Sequence, residues 1–428
     1  MKVYFYTLGC KVNQYETQAM GEILKCAGYT ITSNDKDADI YIVNSCTVTS
    51  ASDQKTRQAV RKFKRNNPNS VVVLTGCMPQ AYPKQAMELF SADIVLGNRS
   101  NDKLVKMLDE YFETHNRVVT LVEHQKGDKF DNLHISSFDE RTRAFVKIQD
   151  GCDRFCSYCI IPTSRGRSRS KPLEDLKVEF DALAQNGYKE LVLVGINLSC
   201  YGKDIGLSIC DAVELACSVK TFERVRLGSL EPDHMTDEVI DRLSKLKNLC
   251  PQFHISLQSG CDATLKRMNR HYNSQEYLDL CDKLRKSFVD TSLTTDVVVG
   301  FPLESEEDFN ESMSFVQNVG FEKIHVFPYS VRSGTKAAQI SPQIVKSVKE
   351  ERCKEMIKCG DKIRQDFFKS LVGQTVEILC ETHVDGFVYG YTKNYTPVKF
   401  LCDKDLHGEL KNVKITGFEY EHCIGEFV

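Results

Sequence analysis

Residues 151–162 read G-C-D-R-F-C-S-Y-C-I-I-P, and the three cysteines in this stretch decide the fold prediction for most of the chain. Cys152, Cys156 and Cys159 have the spacing C-x3-C-x2-C, which is too short for a strain-free disulfide network and one ligand short of a closed zinc site. Three thiolates can bind three irons of a [4Fe–4S] cluster and leave the fourth iron open. Because structural clusters usually have four cysteine ligands, the spacing predicts a cluster that takes part in chemistry. Three unrelated cysteines are the weaker alternative, given the flanking sequence.

The composition predicts a cytoplasmic protein of several domains. Its 428 residues exceed one typical core and indicate two or three domains. We find neither a basic-then-apolar signal at the start nor an apolar stretch long enough to span a bilayer. In a reducing compartment, 18 cysteines indicate metal ligands and buried thiols instead of a disulfide framework.

The net charge of −3 predicts no general attraction to nucleic acid, so binding to a polyanion would depend on local basic patches. One such patch lies on a predicted helix, and a second follows the cysteine stretch. A solvated helix face is the simpler interpretation of the first patch taken alone. The basic residues are Lys55, Arg57, Arg61, Lys62, Lys64 and Arg65 in the first patch, and Arg165, Arg167, Arg169 and Lys171 in the second.

A second set of three cysteines follows predicted strands in the first third of the chain. Short apolar strands alternate there with amphipathic helices, which predicts a parallel α/β sheet. Cys10, Cys46 and Cys77 come directly after the first three long strands, and the carboxyl ends of parallel strands meet at one edge where ligands bind. We therefore predict a second three-cysteine iron–sulfur site; three separately buried thiols are the alternative. The predicted strands are Val3–Leu8, Ile40–Asn44, Val71–Thr75 and Ile94–Leu96.

The middle of the chain repeats a strand-then-helix unit six times, which predicts an incomplete parallel (β/α)6 barrel. The predicted strands are Ala144–Gln149, Leu191–Val194, Val225–Leu227, Phe253–Leu257, Leu293–Val299 and Ile324–Phe327. Polar residues follow these strands, at the end of the barrel where active sites lie. They are Asn197, Ser229, Glu231, Gln258 and Ser259, with Asp296 inside the fifth strand.

The last part of the chain has two patterns. Residues 341–370 predict one charged helix that packs on the barrel. From Gln374 onward, period-two segments separated by turn residues predict a small antiparallel β-barrel. Its aromatic and basic residues have a composition suited to stacking on RNA, although half of the aromatics must belong to the core. They are Phe387, Tyr389, Tyr391, Tyr395, Lys393 and Lys399.

Five motifs together resemble the methylthiotransferase family of radical S-adenosylmethionine (SAM) enzymes. They are T-L-G-C-K-V-N-Q-Y-E-T, N-S-C-T-V-T, C-D-R-F-C-S-Y-C, L-Q-S-G-C-D-A-T-L-K-R-M-N-R and H-V-F-P-Y-S-V-R-S-G-T. The opening K-V-N-Q-Y-E-T is similar to the MtaB-type branch. The resemblance covers essentially the whole chain. It implies an N-terminal methylthiotransferase domain with an auxiliary cluster (1–135), a radical SAM domain with a linker helix (138–370) and an RNA-binding TRAM domain (371–428).

The resemblance also implies the activity and its cofactors. These are two [4Fe–4S] clusters, one held by Cys10, Cys46 and Cys77 and one by Cys152, Cys156 and Cys159, together with SAM. A radical derived from SAM would remove the hydrogen on carbon 2 of the adenine, and the auxiliary cluster would supply a methylated sulfur. The implied substrate is the threonylcarbamoyl-modified adenosine 3′ of the tRNA anticodon. An electron donor and a sulfur source of unknown identity are further implied partners.

For SAM itself we predict contacts from Glu231, Gln258 and Asp296, with Arg167 or Arg169 close by. Leu303 stands where the family usually has glycine in a loop near SAM, which puts the tightness of that loop in question. Two alternatives stay open. One is a sibling enzyme that acts on isopentenyladenosine tRNA or on a ribosomal protein, and the other is a non-catalytic iron–sulfur redox sensor that binds RNA.

Overall fold

Apolar runs at the start of the chain form a six-stranded parallel sheet. It is seen in a computed structural model that describes residues 1–131, 133–138 and 142–428. The strands are β1 (Lys2–Thr7), β2 (Thr30–Ile31), β3 (Ile40–Ser45), β4 (Val71–Gly76), β5 (Ile94–Leu96) and β6 (Val118–Thr120), in the order β2-β1-β3-β4-β5-β6. Every residue of β3 and β4 is buried, because helices cover both faces of the sheet.

Five helices connect the strands of this sheet. They are α1 (Lys11–Cys26), α2 (Ser50–Asn66), α3 (Cys77–Ala81), α4 (Pro83–Met87) and α5 (Leu104–Thr114). Thr49 caps α2, since its hydroxyl accepts a hydrogen bond from the Ser52 amide at 3.2 Å. Cys10 lies at the N-cap of α1, and Cys77 is the first residue of α3. The α/β prediction is confirmed, with β2 and β6 as additional short edge strands.

The middle of the chain forms the predicted incomplete barrel of parallel strands. Its strands are β7 (Arg143–Asp150), β8 (Arg169–Ser170), β9 (Glu190–Gly195), β10 (Arg224–Leu227), β11 (Ser229–Leu230), β12 (Gln252–Ile255), β13 (Ser292–Val299) and β14 (Lys323–Pro328). They pair as β10-β9-β7-β8 and β11-β12-β13-β14, and Val225 of β10 forms an isolated parallel bridge with Leu249, which precedes β12. Of these strands in the described part of the chain, the short β8 alone runs antiparallel, so six longer parallel strands line one lumen.

Eight helices accompany these strands. They are α6 (Ile161–Arg165), α7 (Leu173–Gln185), α8 (Ile209–Ser218), α9 (Asp237–Ser244), α10 (Asp262–Arg267), α11 (Ser274–Ser287), α12 (Glu306–Val319) and α13 (Lys346–Leu371). The last of these begins five residues later than the sequence predicts. Gln343 donates to the carbonyls of Ala337 and Ile340 and so ties the segment before α13 to the preceding turn.

The chain ends in a closed five-stranded barrel. Its strands are β15 (Thr375–Val384), β16 (Phe387–Thr392), β17 (Pro397–Leu401), β18 (Leu410–Phe418) and β19 (Cys423–Phe427), in the order β15-β16-β17-β19-β18. Four of its pairings are antiparallel as predicted, and β17 with β19 is parallel. That pairing closes the sheet and removes its edges. The pattern had not indicated β19, which is short and interrupted by Gly425.

Aromatic residues of the C-terminal barrel pack against the start of the central barrel strands. Tyr391 and Tyr395 stack on each other with ring centroids 4.6 Å apart. The guanidinium carbons of Arg226 and Arg143 lie 4.5 and 4.9 Å from the Tyr395 centroid. Arg224 donates to the Tyr391 carbonyl at 2.9 Å. For these two tyrosines the expectation of RNA stacking is wrong, because buried arginines occupy their faces.

Among the residues that the structure describes, no helix is both long and apolar enough to cross a membrane.

Candidate functional site

The structure brings the loops of Cys10, Cys46 and Cys77 to one edge of the N-terminal sheet. Gly9 has φ +108°, and a Cβ atom there would lie 2.8 Å from Cβ of Cys46. Gly76 has φ +93°, and a Cβ atom there would lie 2.5 Å from the Ser45 carbonyl oxygen. Only glycine allows both the left-handed turn and this close approach. The predicted convergence of the three strand exits is therefore confirmed.

The second triad lies in the loop that follows β7. The Cys152 amide donates to the Gly166 carbonyl at 3.0 Å, and the Cys159 amide donates to the Cys156 carbonyl at 3.0 Å. The Ser157 amide donates to the Met268 carbonyl at 2.9 Å, which fixes the loop to the end of α10. The loop is thus held in place by backbone hydrogen bonds at both ends and in the middle.

Nitrogen donors point at the sulfurs of both triads. Asn197 Nδ2 lies 3.6 Å from Cys152 Sγ, and Arg270 Nη1 lies 3.3 Å from Cys156 Sγ. Arg165 Nε donates to Cys77 Sγ at 3.3 Å. Hydrogen bonds to sulfur stabilise thiolates and tune the clusters that they bind. The donor set therefore suits two anionic sulfur sites.

Burial raises the pKa of the Cys152 thiol to about 11 and the pKa of the Cys159 and Cys77 thiols to about 12. Neighbouring cysteines raise these pKa values further, which reflects how close the members of each triad lie. A metal or cluster that binds these sulfurs must displace their protons. All 18 cysteines are free thiols, so no disulfide competes for them.

Among the described residues, no three His, Cys, Asp or Glu side chains are placed to hold one metal ion.

Arg165 connects the two triads. It ends α6, which follows Cys159, and its side chain is fully buried. Besides Cys77 it binds the Glu16 carboxylate at 2.6 and 3.0 Å and Asn13 Oδ1 at 2.8 Å. Burial alone would lower the pKa of Arg165, but the Cys77 thiol and the nearby carboxylates outweigh it and hold that pKa well above its usual value.

Further polar contacts join the N-terminal sheet to the barrel beside the triads. Arg332 binds Asp53 Oδ2 at 2.5 Å and Thr47 Oγ1 at 2.8 Å, and Thr47 directly follows Cys46. Asn98 donates to the carbonyl of Ser164 in α6 at 2.7 Å. These buried contacts fix the position of one triad relative to the other.

The residues predicted to bind SAM lie at different levels of the lumen. Glu231 pairs with Arg270 at 2.5 Å, beside Cys156. Asp296 lies 3.3 Å from His254 Nε2 and lines a cavity lower in the lumen. Gln258 has φ +68°. Its carbonyl accepts a hydrogen bond from the Val298 amide and its amide donates to the Asp296 carbonyl, so Gln258 connects the upper and lower levels of the lumen.

The two arginines expected near SAM have other partners. Arg169 is buried and binds Asp150 and the carbonyl of Arg165, while Arg167 is exposed and pairs with Asp153 at 2.9 Å. Arg169 is therefore part of the network around Arg165. Leu303 adopts φ +63°, the left-handed conformation that favours glycine, so the tight loop persists with a leucine.

Of two cavities near these residues, one adjoins a triad. A cavity of about 910 Å³ lies against Cys156 and Cys159 and is bordered by Phe155, Arg167 and Lys336. A second cavity, of about 600 Å³, occupies the lower lumen beside Lys11. Both volumes fall in the range of small-ligand sites.

Sequence reasoning did not identify Arg165 and Arg270 as hydrogen-bond donors to the cysteine sulfurs. It also did not identify Lys11 as a residue that borders the lower cavity. Both arginines stood in stretches already singled out, Arg165 in the second basic patch and Arg270 as the last residue of the motif that ends in M-N-R. A basic residue close to a cluster motif was the available signal. Their contacts depend on side chains from distant segments, which spacing does not reveal.

Comparisons with known proteins agree with this arrangement. The description "Uncharacterized protein family UPF0004" matches residues 2–97, and the radical SAM superfamily matches residues 146–316. The threonylcarbamoyladenosine tRNA methylthiotransferase MtaB of Bacillus subtilis is 38% identical over 433 residues, which span 100% of this chain and 96% of that protein. The tRNA-2-methylthio-N(6)-dimethylallyladenosine synthase of Pelotomaculum thermopropionicum is 32% identical, over 99% and 97% of the two chains.

Solved structures show the same fold at low identity. The radical SAM methyltransferase TsrM from Kitasatospora setae, with cobalamin and a [4Fe–4S] cluster bound, superposes with a TM-score of 0.57 at 11% identity. The superposition covers 91% of this chain and 77% of that chain. At this identity the similarity shows the fold alone.

Proposed function

Because the chain belongs to the family of radical SAM tRNA methylthiotransferases that includes MtaB, we propose that it adds a methylthio group to carbon 2 of the threonylcarbamoyl-modified adenosine 3′ of the tRNA anticodon. The cofactors are SAM and [4Fe–4S] clusters. When bound, they supply the radical that removes the hydrogen on carbon 2 and the sulfur that replaces it.

The six cysteines of the two triads are the proposed cluster ligands. Cys152, Cys156 and Cys159 bind the SAM-cleaving cluster, and Cys10, Cys46 and Cys77 bind the auxiliary cluster. Each triad leaves one iron without a protein ligand, as two sites with external ligands require. The single observation that carries this proposal is the Arg165 side chain, which reaches from the end of α6 to Cys77 Sγ and so couples the two sites.

In this proposal the protein's own residues orient the cofactors and exclude water. Arg270 and Asn197 donate to the sulfurs of one triad and Arg165 to the other. Glu231 lies beside Cys156, where it suits the amino group of SAM, and its pairing with Arg270 holds it there.

The direct experiment uses purified full-length protein loaded with iron and sulfide. The protein is incubated with SAM, a reductant and tRNA that carries threonylcarbamoyladenosine, and the digested nucleosides are analysed by mass spectrometry. We expect the 2-methylthio product. Product on dimethylallyladenosine tRNA alone would instead assign the chain to the sibling activity, and absence of SAM cleavage would favour the redox-sensor alternative.

We expect the Glu231→Ala variant to bind SAM about ten- to a hundred-fold more weakly, because a well-placed contact to a charged ligand contributes about 1.5–3 kcal/mol. Equilibrium binding to the cluster-loaded protein measures this effect. Gln258→Ala and Asp296→Ala test the other two residues in the same way. An unchanged dissociation constant would remove the residue concerned from the proposed SAM site.

The α2 helix is the proposed RNA contact of the N-terminal part. Among the described residues, none forms an ion pair with Lys55, Arg57, Arg61 or Arg65, and a groove of about 470 Å³ beside three of them (Lys55, Arg61 and Arg65) is bordered by the half-buried Tyr4 and Tyr6. Unpaired cations next to aromatic rings suit a phosphate backbone with unstacked bases.

Changing these four basic residues to Gln should weaken tRNA binding and flatten its dependence on salt. Each lost phosphate contact lowers the slope of log affinity against log salt by about 0.7–0.9. Lys177→Gln with Lys245→Gln, on the outer helices of the central barrel, provides the control that should leave the slope unchanged. Equal slopes for the α2 variant and the wild type would exclude this surface.

The C-terminal barrel is the second proposed RNA contact, and its role needs point variants instead of deletion. Removal of residues 371–428 would uncover Arg143, Arg224 and Arg226, which contact Tyr391 and Tyr395 of that barrel. The domain limits given above remain predictions. We further propose that the enzyme acts in the cytoplasm, with an electron donor and a sulfur source whose identities are open.

A further inference from the structure

The cavity of the lower lumen lies between all three parts of the chain. Lys11 borders it at the start of α1, and strands β12, β13 and β14 form its wall. Tyr391 and Tyr395 of the C-terminal barrel close its base. Lys11 directly follows Cys10, so the start of α1 connects this cavity to the auxiliary triad along the chain.

The wall of this cavity is a chain of polar side chains. Gln252 Nε2 donates to Thr294 Oγ1 at 3.1 Å, and the same hydroxyl lies 3.0 Å from His254 Nδ1. His254 Nε2 in turn lies 3.3 Å from Asp296 Oδ2. A wall of donors and acceptors suits a polar ligand and disfavours an apolar one, which would leave these groups unpaired.

Lys11 supplies a positive charge without a protein partner. Its ammonium lies 5.7 Å from the Phe145 ring centroid, and no described residue forms a hydrogen bond or ion pair with it. The side chain keeps solvent access where it borders the cavity. A solvent-accessible ammonium between an aromatic ring and a polar cavity is placed to receive an anion.

Most of the acids around Lys11 have other partners. Glu190 is shared by Arg226, Arg143 and Arg224 at 2.9, 3.7 and 3.9 Å. In the cavity itself, Glu322 pairs with Arg364 and Asp296 contacts His254, while Glu421 of the C-terminal barrel has no ion-pair partner among the described residues.

We propose that this cavity receives the threonylcarbamoyl substituent of the target adenosine and that the Lys11 ammonium binds its carboxylate. The polar wall then contacts the urea and hydroxyl groups of the same substituent. This inference rests on the proposed function, which supplies that substrate, and it assigns substrate selection to a residue next to the auxiliary triad. A dimethylallyl group offers neither a charge for Lys11 nor donors for the wall.

The test measures equilibrium binding of full-length, cluster-loaded protein to two anticodon stem-loop RNAs, without reductant so that no turnover occurs. One RNA carries threonylcarbamoyladenosine, and the other carries the same group with its carboxylate converted to a neutral carboxamide. We expect wild-type protein to bind the acid about ten- to a hundred-fold more tightly. The Lys11→Met variant should bind both RNAs with the affinity that the wild type has for the carboxamide.

Two further variants separate charge from packing. Lys11→Arg keeps the charge and should keep most of the preference for the acid. Lys323→Met removes the other lysine of the cavity and should change the preference less than about threefold, since Lys323 sits beside Glu322. Iron content of each variant checks that the adjacent triad is intact.

Each outcome decides the inference. It is overturned if Lys11→Met retains the preference for the acid or if Lys323→Met abolishes it equally. It is also overturned, without any variant, if the wild type does not distinguish the two RNAs. Failure of the proposed function looks different: the wild type would bind the acid preferentially and yet form no methylthio product under reducing conditions.

Discussion

Replacing Cys152, Cys156 and Cys159 together by alanine is expected to leave about half of the iron and sulfide of the loaded wild type and to abolish SAM cleavage, because each triad supplies its own thiolates. Iron and sulfide analysis measures the first effect, and chromatographic detection of deoxyadenosine measures the second. The same measurement on Cys200→Ala provides a matched control. Cys200 is also buried near this loop but belongs to neither triad, so full iron and full cleavage are expected.

The complementary change at Cys10, Cys46 and Cys77 is expected to halve the iron as well, to retain SAM cleavage and to lose methylthio transfer. The buried contacts of Arg165 and Arg332 couple the two sites in position, while the ligands stay separate. If either triple variant keeps a full complement of iron, there are not two independent clusters. If the N-terminal variant loses SAM cleavage, the division of labour between the triads is wrong.

Arg165→Met is expected to lower the free energy of unfolding by about 3–5 kcal/mol, because it leaves the buried Glu16 carboxylate without its guanidinium partner and removes one of the two guanidinium partners of Asp150. Nearby Lys147 also binds both carboxylates but does not reach Cys77 or Asn13. Chemical denaturation of the protein without cofactors measures the effect, and it separates stability from cluster loading.

Arg167→Met is the control, two residues farther along the chain. Its guanidinium is exposed and pairs with an exposed Asp153, so we expect a loss below about 1 kcal/mol. Arg165→Lys keeps the charge but not the planar guanidinium. Its loss in free energy of unfolding should lie between those of Arg165→Met and Arg167→Met. Equal losses for Arg165→Met and Arg167→Met would show that the buried bridge contributes little to holding the domains together.

Much of the fold could be predicted because it depends on local patterns. Alternating apolar strands and amphipathic helices predict the parallel sheet and the six barrel strands. The carboxyl ends of parallel strands share one edge, which predicts that Cys10, Cys46 and Cys77 lie close together. The short edge strands β2 and β6, and β19 with its glycine, have too few residues to show a period.

The contacts between domains could not be predicted. Tyr391 and Tyr395 belong to a segment whose composition suits RNA binding, yet they pack against arginines of the central barrel. Local periodicity does not reveal which residue lies opposite another across a domain interface. Arg165 likewise counted as part of a basic patch, whereas it is fully buried. A run of basic residues predicts a solvent-exposed face only where no acidic side chain from another segment packs against it.

The central claim is that this chain methylthiolates threonylcarbamoyladenosine in tRNA by using both triads. The most direct measurement is nucleoside analysis of tRNA from a strain that lacks the gene, complemented in turn by the wild type and by each triple-cysteine variant. The account predicts loss of 2-methylthio-threonylcarbamoyladenosine in the deletion strain, restoration by the wild type alone and accumulation of the unthiolated nucleoside with either variant. An unchanged level of that nucleoside in the deletion strain, or its restoration by a triple variant, would contradict the account.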